Sequence, residues 1–108
     1  MDHAVKDRIS LELAQRVAAG LPDHREWLRM ARENLERWTR RNPDAPALLK
    51  CYEEWRVLLN QPVQEICAQL TAETPRGHRL RQNSPFAGAL APHEVWAVKR
   101  RHHEATTA

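Results

Sequence analysis

The chain has 108 residues, 42% hydrophobic and 29% charged, with a formal net charge of +3. That length and composition fit one domain spanning residues 1–108, with four tryptophans toward a modest core, and exclude a chain disordered by composition. No apolar run approaches the ~20 residues that cross a bilayer, and Met1-Asp2-His3-Ala4-Val5-Lys6-Asp7 lacks the basic-then-apolar pattern of a secretory leader, so the cytoplasm is the expected compartment.

The first helix is expected over about 5–19, because Val5, Ile9, Leu13 and Val17 recur every four residues. Gly20 then offers a left-handed cap and Pro22 blocks continuation. A second helix, about 23–41, opens on a capping-box pattern, Asp23 with Glu26. Trp27, Leu28, Ala31, Leu35 and Trp38 share one face of it. The opposite face alternates charge (Arg29 with Glu33, Arg32 with Glu36, Glu36 with Arg40) and reads as solvated. After Asn42-Pro43-Asp44-Ala45-Pro46, a third helix is expected from about 44 to 60. Its apolar residues, Leu48, Cys51, Tyr52, Trp55, Leu58 and Leu59, cover an arc wide enough for packing on several sides. A fourth, about 62–72, starts at Pro62 and carries a narrow seam of Val63, Ile66, Cys67 and Leu70. The fold class is therefore all-α: a compact bundle of four main helices forming a helical core over about 5–73. No segment alternates long enough to be a strand.

Residues 74–108 differ in kind. Thr74 can cap a short basic helix that Gly77 weakens by ~1 kcal/mol relative to Ala. An irregular Ser84-Pro85-Phe86 loop follows, then a terminal helix from about Pro92. That helix has a small apolar face of Val95, Trp96 and Val98, cations at its end, and a frayed stretch over 105–108. Charge separates along the chain: residues 1–75 hold 11 basic and 12 acidic side chains, whereas 76–108 hold six basic and two acidic. Basic charge is almost all arginine, as in a GC-rich bacterial coding bias.

Sites for chemistry are scarce. The three glycines are isolated, so no phosphate-binding loop can be written. No Cys-x-x-Cys or His-Glu-x-x-His spacing exists, and neighbouring His102 and His103 point about 100° apart on a helix, so no metal site or cofactor is expected. Cys51 and Cys67 lie on apolar faces and read as buried free thiols. Without paired carboxylates or an activated nucleophile, an enzyme is not expected. The basic third instead reads as a binding surface. Phe86, Leu90 and Trp96 are candidate apolar anchors rimmed by Arg76, Arg79, Arg81, Arg100 and Arg101, a combination favoured at protein interfaces; the other reading of Trp96 is that it pins its helix to the core. The alternative is DNA or RNA, read by a helix-turn-helix-like segment at about 62–83 with Arg76, Arg79, Gln82 and Asn83 on the second helix.

The run Leu80-Arg81-Gln82-Asn83-Ser84-Pro85-Phe86-Ala87-Gly88-Ala89-Leu90, followed by Pro92-His93-Glu94-Val95-Trp96, resembles the C-terminal segment of small uncharacterised bacterial helical proteins. Some of these are met near toxin–antitoxin or mobile-element genes. The resemblance covers about a quarter of the chain. It implies an accessory or regulatory protein and carries over no functional residues; that the expected protein partner is acidic follows from the basic surplus of residues 76–108.

Overall fold

A computed structural model describes residues 3–107; Met1, Asp2 and Ala108 lie outside the described residues, and residues 105–107, expected to fray, continue the terminal helix. Among these the regular structure is helical: α1 (His3–Gly20), a 3₁₀ turn (Leu21–Asp23), α2 (Glu26–Arg41), α3 (Pro46–Leu59), α4 (Val63–Leu70), α5 (Pro75–Arg81) and α6 (Pro92–Thr107). Packing runs in the order α2 on α3, α3 on α4, and α4 on α1, with α5 and α6 also against α1.

Local chemistry explains most boundaries and corrects two. The Thr74 hydroxyl accepts a 3.0 Å hydrogen bond from the Gly77 amide and opens α5. Gly77 is there for space: a Cβ would lie 2.3 Å from the Ala72 carbonyl oxygen, so the end of α4 and the start of α5 could not approach. The expected capping box does not form. α2 begins at Glu26 after Arg25, with no side-chain cap, because Leu21 is fully buried and Leu21–Asp23 tightens into a 3₁₀ turn. His24 instead stacks on Trp27, rings 4.6 Å apart, and lies 3.1 Å from Glu26. Gly20 is right-handed (φ −91°), not a left-handed cap. It makes room for the Trp27 ring, which would meet a Cβ at 2.7 Å. Gly88, at φ 94°, is the glycine whose backbone demands the left-handed region.

The main core centres on Trp55, which is fully buried. Its indole Nε1 donates to the Leu80 carbonyl at 3.0 Å, and its ring meets Phe86 edge-on at 6.1 Å. Leu21, Leu35, Leu59, Ile66 and Leu70 complete the interior. Cys51 is buried and Cys67 half-buried, and burial pushes both thiols up. A second, smaller cluster holds α6: Val98 packs between Val5 and Ile9, with Leu13 beside them. The terminal helix therefore rests on α1 through three buried aliphatic side chains, apart from the main interior.

Candidate functional site

The seam between α1 and α6 sets which side of α6 faces out. Beside Val98 stands a polar cluster around Glu12. Its carboxylate accepts from Arg16 Nε at 3.1 Å, pairs with Arg101, and lies 2.9 Å from His102 Nε2. Arg16 also reaches Glu94 at 3.0 Å, so one α1 arginine joins both helices. Desolvation alone would raise the Glu12 carboxyl. Hydrogen bonds from His102 and Arg16, with the charges of Arg101 and Arg16, outweigh it and hold the group below the usual carboxylate range.

At 100° per residue, fixing Glu94, Val98, Arg101 and His102 against α1 turns Trp96 away from it. Trp96 is 63% exposed. The Arg100 guanidinium lies over its ring, 5.6 Å from the centroid, and also donates to Glu104 at 3.0 Å. Lys99 and His103 flank Trp96 on one side and His93 on the other, all exposed. Lys99 has no carboxylate partner among the described residues. The outer arc of α6 is thus an indole framed by cations and imidazoles.

The eight expected contact residues do not form one surface. Trp96 and Arg100 meet there. Arg101 faces inward onto Glu12, and Arg79 makes a two-pronged pair with Glu54 at 2.8 and 3.2 Å. That hydrogen-bonded pair, with the Arg79 charge, lowers the Glu54 carboxyl despite desolvation. Phe86 and Arg81 leave the surface entirely. Phe86 is 4% exposed because it fills the space beside Trp55, and Arg81 is 9% exposed because its guanidinium turns to the carbonyls ending α4. Leu90 is half-buried, and Arg76 is exposed on α5 with no hydrogen-bonding partner among the described residues. Of the six cations in 76–108, Arg79, Arg81, Arg100 and Arg101 are therefore engaged within the chain. Lys99, His93 and His103 join the exposed arc without having been singled out as contacts. Their spacing of three, three and seven residues from Trp96 is the signal that places them there.

The helix-turn-helix-like segment has a second helix of only seven residues. Gly77 and Arg81 on it are buried, Arg79 is held by Glu54, and Gln82 bonds His78 at 3.0 Å. Among the described residues no group of three or more His, Cys, Asp or Glu is placed to hold a metal ion. Among the described residues no helix is long and apolar enough to cross a membrane.

No protein-family model matches the chain, and no curated protein or solved structure is detectably similar to it.

Proposed function

We propose that the protein is a non-enzymatic accessory module that docks an acidic segment of a protein partner onto the outer face of α6. The supporting observation is Trp96. A large indole is left 63% exposed on a helix whose other face is already occupied by α1, and it is bordered by Lys99, Arg100, His93 and His103. Trp and Arg dominate binding energy at interface centres, because a rigid ring buries much area at small entropic cost while the guanidinium supplies charge-assisted hydrogen bonds. Charge complementarity selects the partner: Lys99 is unpaired by carboxylate among the described residues and Arg100 shares only the exposed Glu104. A segment with carboxylates flanking one apolar residue fits this face. The regulatory role implied by the resemblance of 80–96 is consistent with such a docking module.

Capture of the partner by immobilised protein, compared among parent, Trp96→Ala and Lys99→Glu, tests this reading. Trp96→Ala should weaken capture about 30-fold, the scale of an interface hot spot, with unchanged circular dichroism, and Lys99→Glu should weaken it further as salt is lowered. Equal capture by all three proteins contradicts the proposal. Saturable binding of duplex DNA at low salt that survives both substitutions would replace it with nucleic-acid recognition.

A further inference from the structure

Leu13 belongs to the small aliphatic cluster that seats α6, whereas Ala14, Val17, Phe86 and Leu90 belong to the main interior. Between the two clusters runs a cleft of about 360 Å³, walled by these side chains and by Val95 of α6, with Ser10, Gln82 and Ser84 as its neutral polar positions. The volume lies at the small end of ligand pockets, which begin near ~300 Å³. Leu13, Leu90 and Val95 are each half-buried, so both clusters still show apolar surface along this seam.

No carboxylate lines this cleft. Arg81 borders it, but Arg81 Nη1 donates to the carbonyls of Leu70 at 3.1 Å and Ala72 at 2.6 Å. Those bonds put its head beside residues 73–75, which line a second cleft holding Asp7 and Glu73. Charge is therefore gathered in the second cleft, and a charged ligand in the first would leave water without a counter-charge, a costly transfer. One neutral polar group stands on the apolar wall. Ser10, Leu13, Ala14 and Val17 follow one another at i, i+3, i+4 and i+7, so they share the face of α1 that walls the cleft. The Ser10 hydroxyl makes no hydrogen bond to any described residue. Every fully buried side-chain nitrogen and oxygen among those residues does have a partner, so this hydroxyl is open rather than sealed in.

We propose that this cleft binds a small neutral molecule with an apolar body and a single hydroxyl or carbonyl group, the body along Leu13, Leu90 and Val95 and the polar group on Ser10. Such a ligand joins the two clusters and ties α6 to the main interior. This site is separate from the α6 outer face, and its failure would leave that reading untouched.

Octanol, octanoate and octylammonium share one chain length and differ in head-group charge; each titrated into the full chain and followed through side-chain methyl NMR, they test the site. Octanol should saturate, shifting the methyls of Leu13, Leu90 and Val95. Both ions should bind about tenfold or more weaker, since neither head group meets a counter-charge. Ser10→Ala, a change that helix propensity favours, should weaken octanol about fivefold, the share of one neutral hydrogen bond. Leu90→Trp fills the cleft with Ser10 in place and should abolish octanol binding. At saturation octanol should slow amide exchange in α6 more than in α3, because a ligand stabilises the arrangement that binds it. No saturation by octanol, equal or tighter binding of either ion, octanol affinity unchanged in either variant, or unaltered exchange in α6 would each overturn the proposal. So would shifts of the same methyls when the protein alone is concentrated, which would assign the cleft to a second copy of the chain.

Discussion

Asn34 and Pro85 are separated by 51 positions in the chain, and the Asn34 amide nitrogen donates a 2.8 Å hydrogen bond to the Pro85 carbonyl. The same nitrogen donates to the Ala87 carbonyl at 3.1 Å, while Arg37 donates to the Asn34 amide oxygen. A buried polar side chain on α2 thus closes the backbone of the irregular loop and seats Phe86 against Trp55. Replacing Asn34 with Ala strands two carbonyls and should cost about 1–3 kcal/mol. Urea unfolding measures the loss, and amide exchange should rise first across residues 84–90.

Gly77→Ala separates helix propensity from packing. Propensity alone makes it a gain of about 1 kcal/mol. With a Cβ at 2.3 Å from the Ala72 carbonyl oxygen, the turn between α4 and α5 must open, and the expected result is a loss of about 1–3 kcal/mol. Urea midpoints of the two proteins decide the sign.

The polar seam gives α6 a pH dependence. Glu12 is held below the usual carboxylate range by His102, Arg16 and Arg101 against the opposing pull of desolvation. A carboxyl lowered on folding contributes stability that is fully present above its unfolded value and is lost as pH falls through its folded value. Amides of α6 should therefore exchange faster as pH drops below about 4.5, after correction for the intrinsic pH dependence of exchange. Glu12→Gln should remove that component and loosen α6 already at neutral pH. An identical pH profile in parent and variant would show that Glu12 does not hold the helix.

Much of the fold was legible because it follows from periodicity and punctuation. Valine, isoleucine and leucine at four-residue spacing mark α1, Pro62 stands immediately before α4 as its N-cap rather than at its first helical position, and Thr74 caps α5. What stayed hidden depends on partners far along the chain. Nothing local in Arg81 says that it will find two carbonyls 9 and 11 positions back, nor in Arg101 that its carboxylate is 89 positions away. Asp23 with Glu26 matches a capping box, but burial of Leu21 and the stack of His24 on Trp27 prevail over a cap interaction of ~1 kcal/mol. The surplus charge of residues 76–108 is real in composition. Glu54 and Glu12, from earlier helices, take up two of its arginines, and the exposed remainder gathers around Trp96 and at Arg76.

Trp96 itself should be nearly neutral for folding. Its ring is mostly in water, so Trp96→Ala is expected to change unfolding free energy by no more than about 0.5 kcal/mol. A larger loss in urea unfolding would mean that the indole serves the fold.

The most direct measurement is photocrosslinking in living cells, with a photoreactive residue in place of Trp96 on α6 or of the similarly exposed Val57 on α3. Position 96 should yield one adduct with an acidic protein, lost when Lys99 and Arg100 are both changed to Glu, and position 57 should not yield it. The same adduct from both positions, or an adduct at 96 indifferent to the reversed charges, would contradict docking on the outer face of α6.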